Sequence, residues 1–206
     1  MNNNSDKAMS DYQHTRRVVL ACLLTAIAVL LVFAQSTHSE LVHERIESIG
    51  MMTILIGIGG RLWSTLYIGG RKMAEVVDTG PYSVMRNPLY FFSTVAAAGV
   101  GAQLGSLILM VVFAALCWAA FSIVIRREEA FLSARMGKPY QDYLERVPRF
   151  FPNPRLYRDE AEVSFQPRLL KRTLIDGLAF FASVPLFETL ETLQEQGIIP
   201  VLFHLS

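Results

Sequence analysis

The sequence predicts an all-α integral membrane protein: a bundle of four to five transmembrane helices with a helical segment on the cytoplasmic side. Three observations predict it. Hydrophobic residues make up 52% of the 206 residues and charged residues only 18%. The apolar residues fall in long runs and show no helical or strand period. The basic residues gather between alternate runs.

The runs can be taken in order. Val18 to Ala34 carries no charge over 17 residues, and Ile49 to Gly70 is apolar except for Arg61. Leu89 to Ile125 is 37 residues without a charge. A helix needs roughly 20 apolar residues to cross a bilayer, so the third run holds two spans. Gly99, Gly101 and Gly105 near its middle suit a tight turn. The expected spans are therefore 18–34, 49–69, 89–103 and 106–125. Leu174 to Phe187 is shorter and carries Asp176, and Ile198 to Leu205 is apolar again. Glu188, Glu191 and Glu195 between them share one helical face. A fifth span, a re-entrant pair and an interfacial helix all remain open here. A fifth, partly buried membrane helix with an amphipathic tail is favoured.

The net charge of +1 conceals an asymmetry. Lys7, Arg16 and Arg17 precede the first span, and Arg71, Lys72 and Arg86 lie between the second and third. Eleven more Lys or Arg run from Arg126 to Arg172, against Arg45 alone in the opposite loop. The positive-inside rule then sets the N-terminus, the 71–88 loop and the 126–172 segment in the cytoplasm. The first helix reads as uncleaved, because its core is long and Cys22 sits early within it. Cys22 and Cys117 both fall in apolar spans, which argues against a disulfide and a metal site. Four segments follow: 1–17, a disordered N-terminus; 18–70, the first two spans; 71–154, a core; and 155–206, a C-terminal part with the fifth helix.

Two polar blocks bracket the hairpin of the third and fourth spans. The first is GPYSVMRNPLY, Gly80 to Tyr90; the second is RREEAFLSARMGKPYQDYLERVPRF, Arg126 to Phe150. Both fall on one side, as if one site were split in sequence and joined in space. Pro88 biases Asn87 away from helix and suits a first helical turn, so the third span is expected to begin there. The amide groups of such a start favour an anionic or polar ligand. Tyr82 and Tyr90 offer stacking faces and hydroxyls, and Asn87 a donor and an acceptor. An interfacial belt of Tyr and Arg would account for the same residues.

In the second block, Glu129 is spaced to pair with Arg126 one turn back, whereas Glu128 meets Val124 and must face something other than its own helix. Gly137 suits a helix end and Pro139 a new start. Tyr140, Tyr143 and Val147 then share a face, and Tyr143 is expected to pack against the membrane hairpin. Arg61 stands in mid-span, where a charge costs at least about 2.5–3.5 kcal/mol and usually faces a cavity or partner. Gly57 and Gly60 beside it suit close helix packing. No GxGxxG follows a strand, no HExxH or paired CxxC occurs, and the four histidines are scattered. No metal and no nucleic acid is expected as a partner.

At these two blocks the chain resembles the isoprenylcysteine carboxyl methyltransferases and the related phospholipid methyltransferases. The shared pattern is GxY, then R-H-P-x-Y, a hairpin, E-E, G-x-x-Y-x-x-Y and R-V-P. It is matched in order by GPYSVMRNPLY and EEAFLSARMGKPYQDYLERVP, within Arg61 to Pro152. The resemblance implies S-adenosylmethionine as methyl donor, enclosed by the cytoplasmic helical segment. It also implies donor contacts at Val76, Val77 and Tyr82, at Asn87, Pro88, Leu89 and Tyr90, and at Glu128.

There are two departures from the pattern. The usual His is Asn87, which cannot titrate. The substrate arginine of the eukaryotic enzymes falls on Val124, which puts a prenylcysteine carboxylate in doubt. Arg126 and Arg127 are the nearest substitutes for acceptor binding, and Arg61 is the candidate catalytic residue, orienting the acceptor head group or the donor carboxylate. The reaction implied is direct in-line methyl transfer to a lipid-like or prenylated small-molecule acceptor drawn from the bilayer. It needs alignment more than an acid or base, and alignment is worth roughly 7–11 kcal/mol. A nicotinamide-dependent membrane reductase of sterol-reductase type and a non-enzymatic membrane scaffold are the alternatives.

Overall fold

The computed structural model describes residues 34–36, 39–70 and 75–205. The N-terminal 1–17 segment and the expected first span, 18–34, except for its last residue, Ala34, lie outside the described residues, as do Arg71 and Lys72. The described elements are helical, apart from β1 (Ala34–Ser36) and β2 (Phe203–Leu205). The chain divides into two compact units. The smaller holds β1 and residues 188–205, and within it β1 pairs in parallel with β2. The larger spans 38–187.

Helix α1 (Glu40–Ile68) begins nine residues before the expected span, because Glu40, Glu44, Arg45 and Glu47 extend it as a polar, mostly exposed first portion. A short helix α2 (Pro81–Val84) follows, then α3 (Pro88–Ala102), which starts at Pro88 as its sequence requires. The α3–α4 turn takes its left-handed residue at Gly105, φ +64°. Gly99 and Gly101 stay helical and serve close packing instead.

Helix α4 (Leu107–Met136) is capped by the Ser106 hydroxyl, which accepts from the Leu109 amide. Thirty residues at 1.5 Å each make a rod of about 45 Å, against a hydrocarbon core of about 30 Å. The surplus is the stretch after Ile125, where the charges begin, so the fourth span and the start of the second polar block are one helix. Gly137, φ +66°, ends it, and α5 (Lys138–Arg146) turns away at once. The C-terminal helices are α6 (Pro167–Phe181) and α7 (Ser183–Glu195). Among the described residues, three helical stretches are long and apolar enough to cross a membrane: Glu40–Ile68, Leu107–Met136 and Pro167–Glu195. The shorter α3 is apolar as well.

Helices α1 and α3 pack antiparallel along a seam of small residues. A Cβ placed on Gly57 would lie 2.7 Å from the Ala96 nitrogen and 2.8 Å from its Cα, which is backbone and cannot swing aside. Gly59, two residues on, has nothing within 4 Å. Gly57→Ala is therefore expected to lower stability by about 1–3 kcal/mol through overpacking. Gly59→Ala should be neutral or slightly stabilising, since alanine is the better helix former. Thermal unfolding of both variants in detergent checks this; equal midpoints would mean that the seam is not tight.

Candidate functional site

The end of α1, the start of α3, the outer half of α4 and the inner face of α5 converge on one cavity, partly open to solvent. Its walls bring together eight of the residues singled out in the sequence. Val76 and Val77 come from the strand-like approach to α2, and Tyr82 from α2 itself. Asn87, Pro88, Leu89 and Tyr90 form the start of α3, and Glu128 projects from α4. The Tyr90 hydroxyl donates to Glu128 Oε1 at 3.0 Å, so Glu128 does look across to another helix. The Tyr90 ring packs on Phe121, 4.7 Å between centroids.

Arg61, Arg126 and Arg127 are not in that lining. Arg126 and Arg127 are exposed on α4. Arg61 lies deeper, between α1, α3 and α6. Its Nη1 contacts the Ser93 hydroxyl, its guanidinium stands 5.8 Å from the Phe180 ring centroid, and its Nε is buried without a hydrogen-bond partner. Ser93 is one turn beyond Leu89, to whose carbonyl its hydroxyl donates. Arg61 therefore stands about one helical turn further into the bundle than the cavity wall.

One expectation about an individual residue needs correction. Glu129 does not pair with Arg126. It is buried, 6% exposed at its side chain, and its two oxygens meet Arg86 Nε at 3.2 Å and Arg149 Nε at 2.9 Å. The i,i+3 pairing loses because Glu129 faces inward toward the two polar blocks, while Arg126 faces out. The cluster that Tyr143 forms with Tyr140 and Val147 packs against Leu132 and Met136 of α4, the second helix of the hairpin, as expected. The Tyr143 hydroxyl also donates to the Tyr82 carbonyl at 2.8 Å, tying α5 to α2.

The sequence reading missed several wall residues: Glu75, Arg86, Leu132, Met136, Tyr140 and Tyr143. A signal for two of them was present, since Glu128, Leu132 and Met136 recur every fourth residue and so share one face of α4. Asn87 also acts differently from a donor facing a ligand. Its Nδ2 donates to the Arg149 carbonyl at 2.9 Å and to Glu129 Oε1 at 3.3 Å, joining the blocks to each other. Further braces hold the 78–84 loop: the Asn153 amide donates to the Val84 carbonyl at 2.9 Å, and Arg146 and Arg158 each reach Asp78 Oδ2 at 2.9 Å.

Burial keeps the phenols of this wall protonated. It pushes Tyr140 up to about 12, and drives Tyr82 and Tyr143 well above the ordinary tyrosine value. At neutral pH all three are hydrogen-bond donors, not charges.

The fold and site thus define an integral membrane protein with a cavity of apolar and polar side chains at one mouth of its helix bundle. The phospholipid methyltransferase family matches residues 46–138. Over 178 residues the chain is 32% identical to the nickel-cobalt-cadmium resistance protein NccN of Alcaligenes xylosoxydans xylosoxydans, covering 84% of this chain and 83% of that one. It is 29% identical over 202 residues to the cobalt-zinc-cadmium resistance protein CzcN of Cupriavidus metallidurans, covering 97% and 93%. Protein-S-isoprenylcysteine O-methyltransferase B of Arabidopsis thaliana is 28% identical over 120 residues, covering 53% of this chain and 61% of that one. No solved structure matches. The chain belongs to the phospholipid methyltransferase family.

Proposed function

We propose that this protein is an S-adenosylmethionine-dependent methyltransferase acting on a lipid-like or membrane-embedded acceptor at the cytoplasmic face of a bacterial inner membrane. The observation that carries the reading is the convergence on one cavity of residues from two blocks nearly 40 positions apart, Tyr90 and Glu128 touching across it. The residues present fit the donor. Tyrosine faces suit its adenine, the start of α3 suits its carboxylate, and Glu128 suits its ammonium or a ribose hydroxyl. When bound, S-adenosylmethionine supplies an electrophilic methyl group for direct in-line displacement by the acceptor. The chain's part is to orient the reactants and exclude water, because Asn87 cannot titrate and the buried phenols hold their protons. Arg61, with Arg126 and Arg127 at the membrane edge, is assigned to the acceptor.

Calorimetry with S-adenosylhomocysteine tests this on the detergent-purified protein. Micromolar binding is expected. Glu128→Ala should weaken it roughly 10- to 100-fold, the worth of a hydrogen bond to a charged group. Binding of NADPH in its place would assign the cavity to a reductase, and binding of neither would favour a scaffold.

The names of the two relatives matched over most of the chain favour a role in resistance to nickel, cobalt, zinc or cadmium, exercised through the methylated membrane component. In a deletion strain, the wild-type gene should then restore growth on these metals and the Glu128→Ala variant should not.

A further inference from the structure

We infer that Arg86 binds the carboxylate of the methyl donor, and that Glu129 is the residue that positions it. The inference rests on the donor reading above and names a recognition element within that site. Arg86 lines the cavity with a side chain only 9% exposed, immediately before the start of α3. Nη1 donates to the Leu144 carbonyl at 3.1 Å, and the buried Nε, which makes no hydrogen bond, forms an ion pair with Glu129 at 3.2 Å. The Arg86 amide donates to the Pro148 carbonyl at 2.9 Å, which holds the backbone as well.

Charge then decides what such a residue serves. Glu129 is one carboxylate between two guanidiniums, those of Arg86 and Arg149, so this knot keeps an excess positive charge. The excess sits where the amides of α3 begin, and the two together favour an anion. Glu75 and Glu128 supply negative charge to the same cavity. A wall with two carboxylates and one excess guanidinium complements a ligand with two cations and one anion. A sulfonium, an ammonium and a carboxylate are that set. A nucleotide cofactor with several phosphates is not. Charge-matched recognition of this kind discriminates between ligands as much as it binds them.

The test compares two probes by calorimetry on the full chain in detergent. S-adenosylhomocysteine carries the amino-acid carboxylate; 5′-methylthioadenosine shares the adenosine and the thioether but lacks that carboxylate. Arg86→Gln should weaken the first roughly 10- to 100-fold and leave the second unchanged. Arg86→Lys should fall between, because lysine keeps the charge without the planar fork. Glu129→Gln should show the same probe-selective loss, smaller in size. Retained methylthioadenosine binding also shows that each variant is folded. Equal weakening of both probes by Arg86→Gln would mean that Arg86 only supports the cavity, and no weakening of either would mean that it does not meet the ligand; both results overturn the inference. Failure of both probes to bind the wild-type protein would overturn the donor reading together with it.

Discussion

Glu129→Ala is expected to destabilise the protein by about 3–5 kcal/mol, the loss typical when one partner of a buried ion pair is removed. Glu129 is 6% exposed and holds Arg86, itself 9% exposed, with Arg149 and the Asn87 amide on the same two oxygens. Removing the carboxylate leaves the Arg86 guanidinium inside without a counter-charge, and the penalty of that burial exceeds the value of the pair itself. Its neighbour provides the control. Glu128→Ala deletes the acceptor of one tyrosine hydroxyl at the cavity wall and should unfold close to wild type. The pair of variants therefore separates two roles for adjacent carboxylates: one holds the blocks together, the other meets the ligand. Thermal unfolding in detergent, followed by circular dichroism, measures both. Equal midpoints for the two variants would show that the knot contributes little to stability.

The helical architecture and the start of α3 were legible because each depends on local signals. Uninterrupted apolar runs set the spans, Pro88 sets the start of α3, and Gly105 and Gly137 set the turns. Six of the eight wall residues were legible through the two motifs, which lie on short local stretches, whereas Val76 and Val77 came only from the family resemblance. The knot was not legible. Glu129 meets Arg86 and Arg149 across separations of 43 and 20 residues, and nothing in the spacing distinguishes those partners from Arg126. The partner of the Tyr143 hydroxyl was illegible for a similar reason. Its aromatic face predicts the packing on the hairpin that is found, but the hydroxyl donates to the Tyr82 carbonyl on another block, and a backbone acceptor leaves no trace in a side-chain pattern. Helix ends were misplaced where charge was taken as the end of a helix. The acidic start of α1 and the arginines of α4 are both helical, because a helix does not stop where the membrane does.

Arg61→Ala is expected to leave the affinity for S-adenosylhomocysteine unchanged and to lower methyl transfer by on the order of 10²-fold, the cost of a misplaced reactant. The first half follows from position. Arg61 is outside the cavity, and its guanidinium meets Ser93 about a turn deeper along α3. The second half follows from energetics. A cation in a membrane span costs at least about 2.5–3.5 kcal/mol, and Ser93, the Phe180 face and the charge of Asp176 offset part of that. The buried Nε, without a hydrogen-bond partner, marks what is still missing. An oxygen of an acceptor that enters from the lipid side would complete it, which is the role the proposed function gives Arg61. Transfer of label from the methyl-labelled donor to total membrane lipid, run beside calorimetry, gives both quantities on one preparation. If donor affinity falls instead, Arg61 shapes the cavity through α3; if neither quantity moves, it is a structural pin between α1 and α6. Arg61→Lys sharpens the distinction, because a lysine there keeps the charge but loses the fork that spans Ser93 and the acceptor at once.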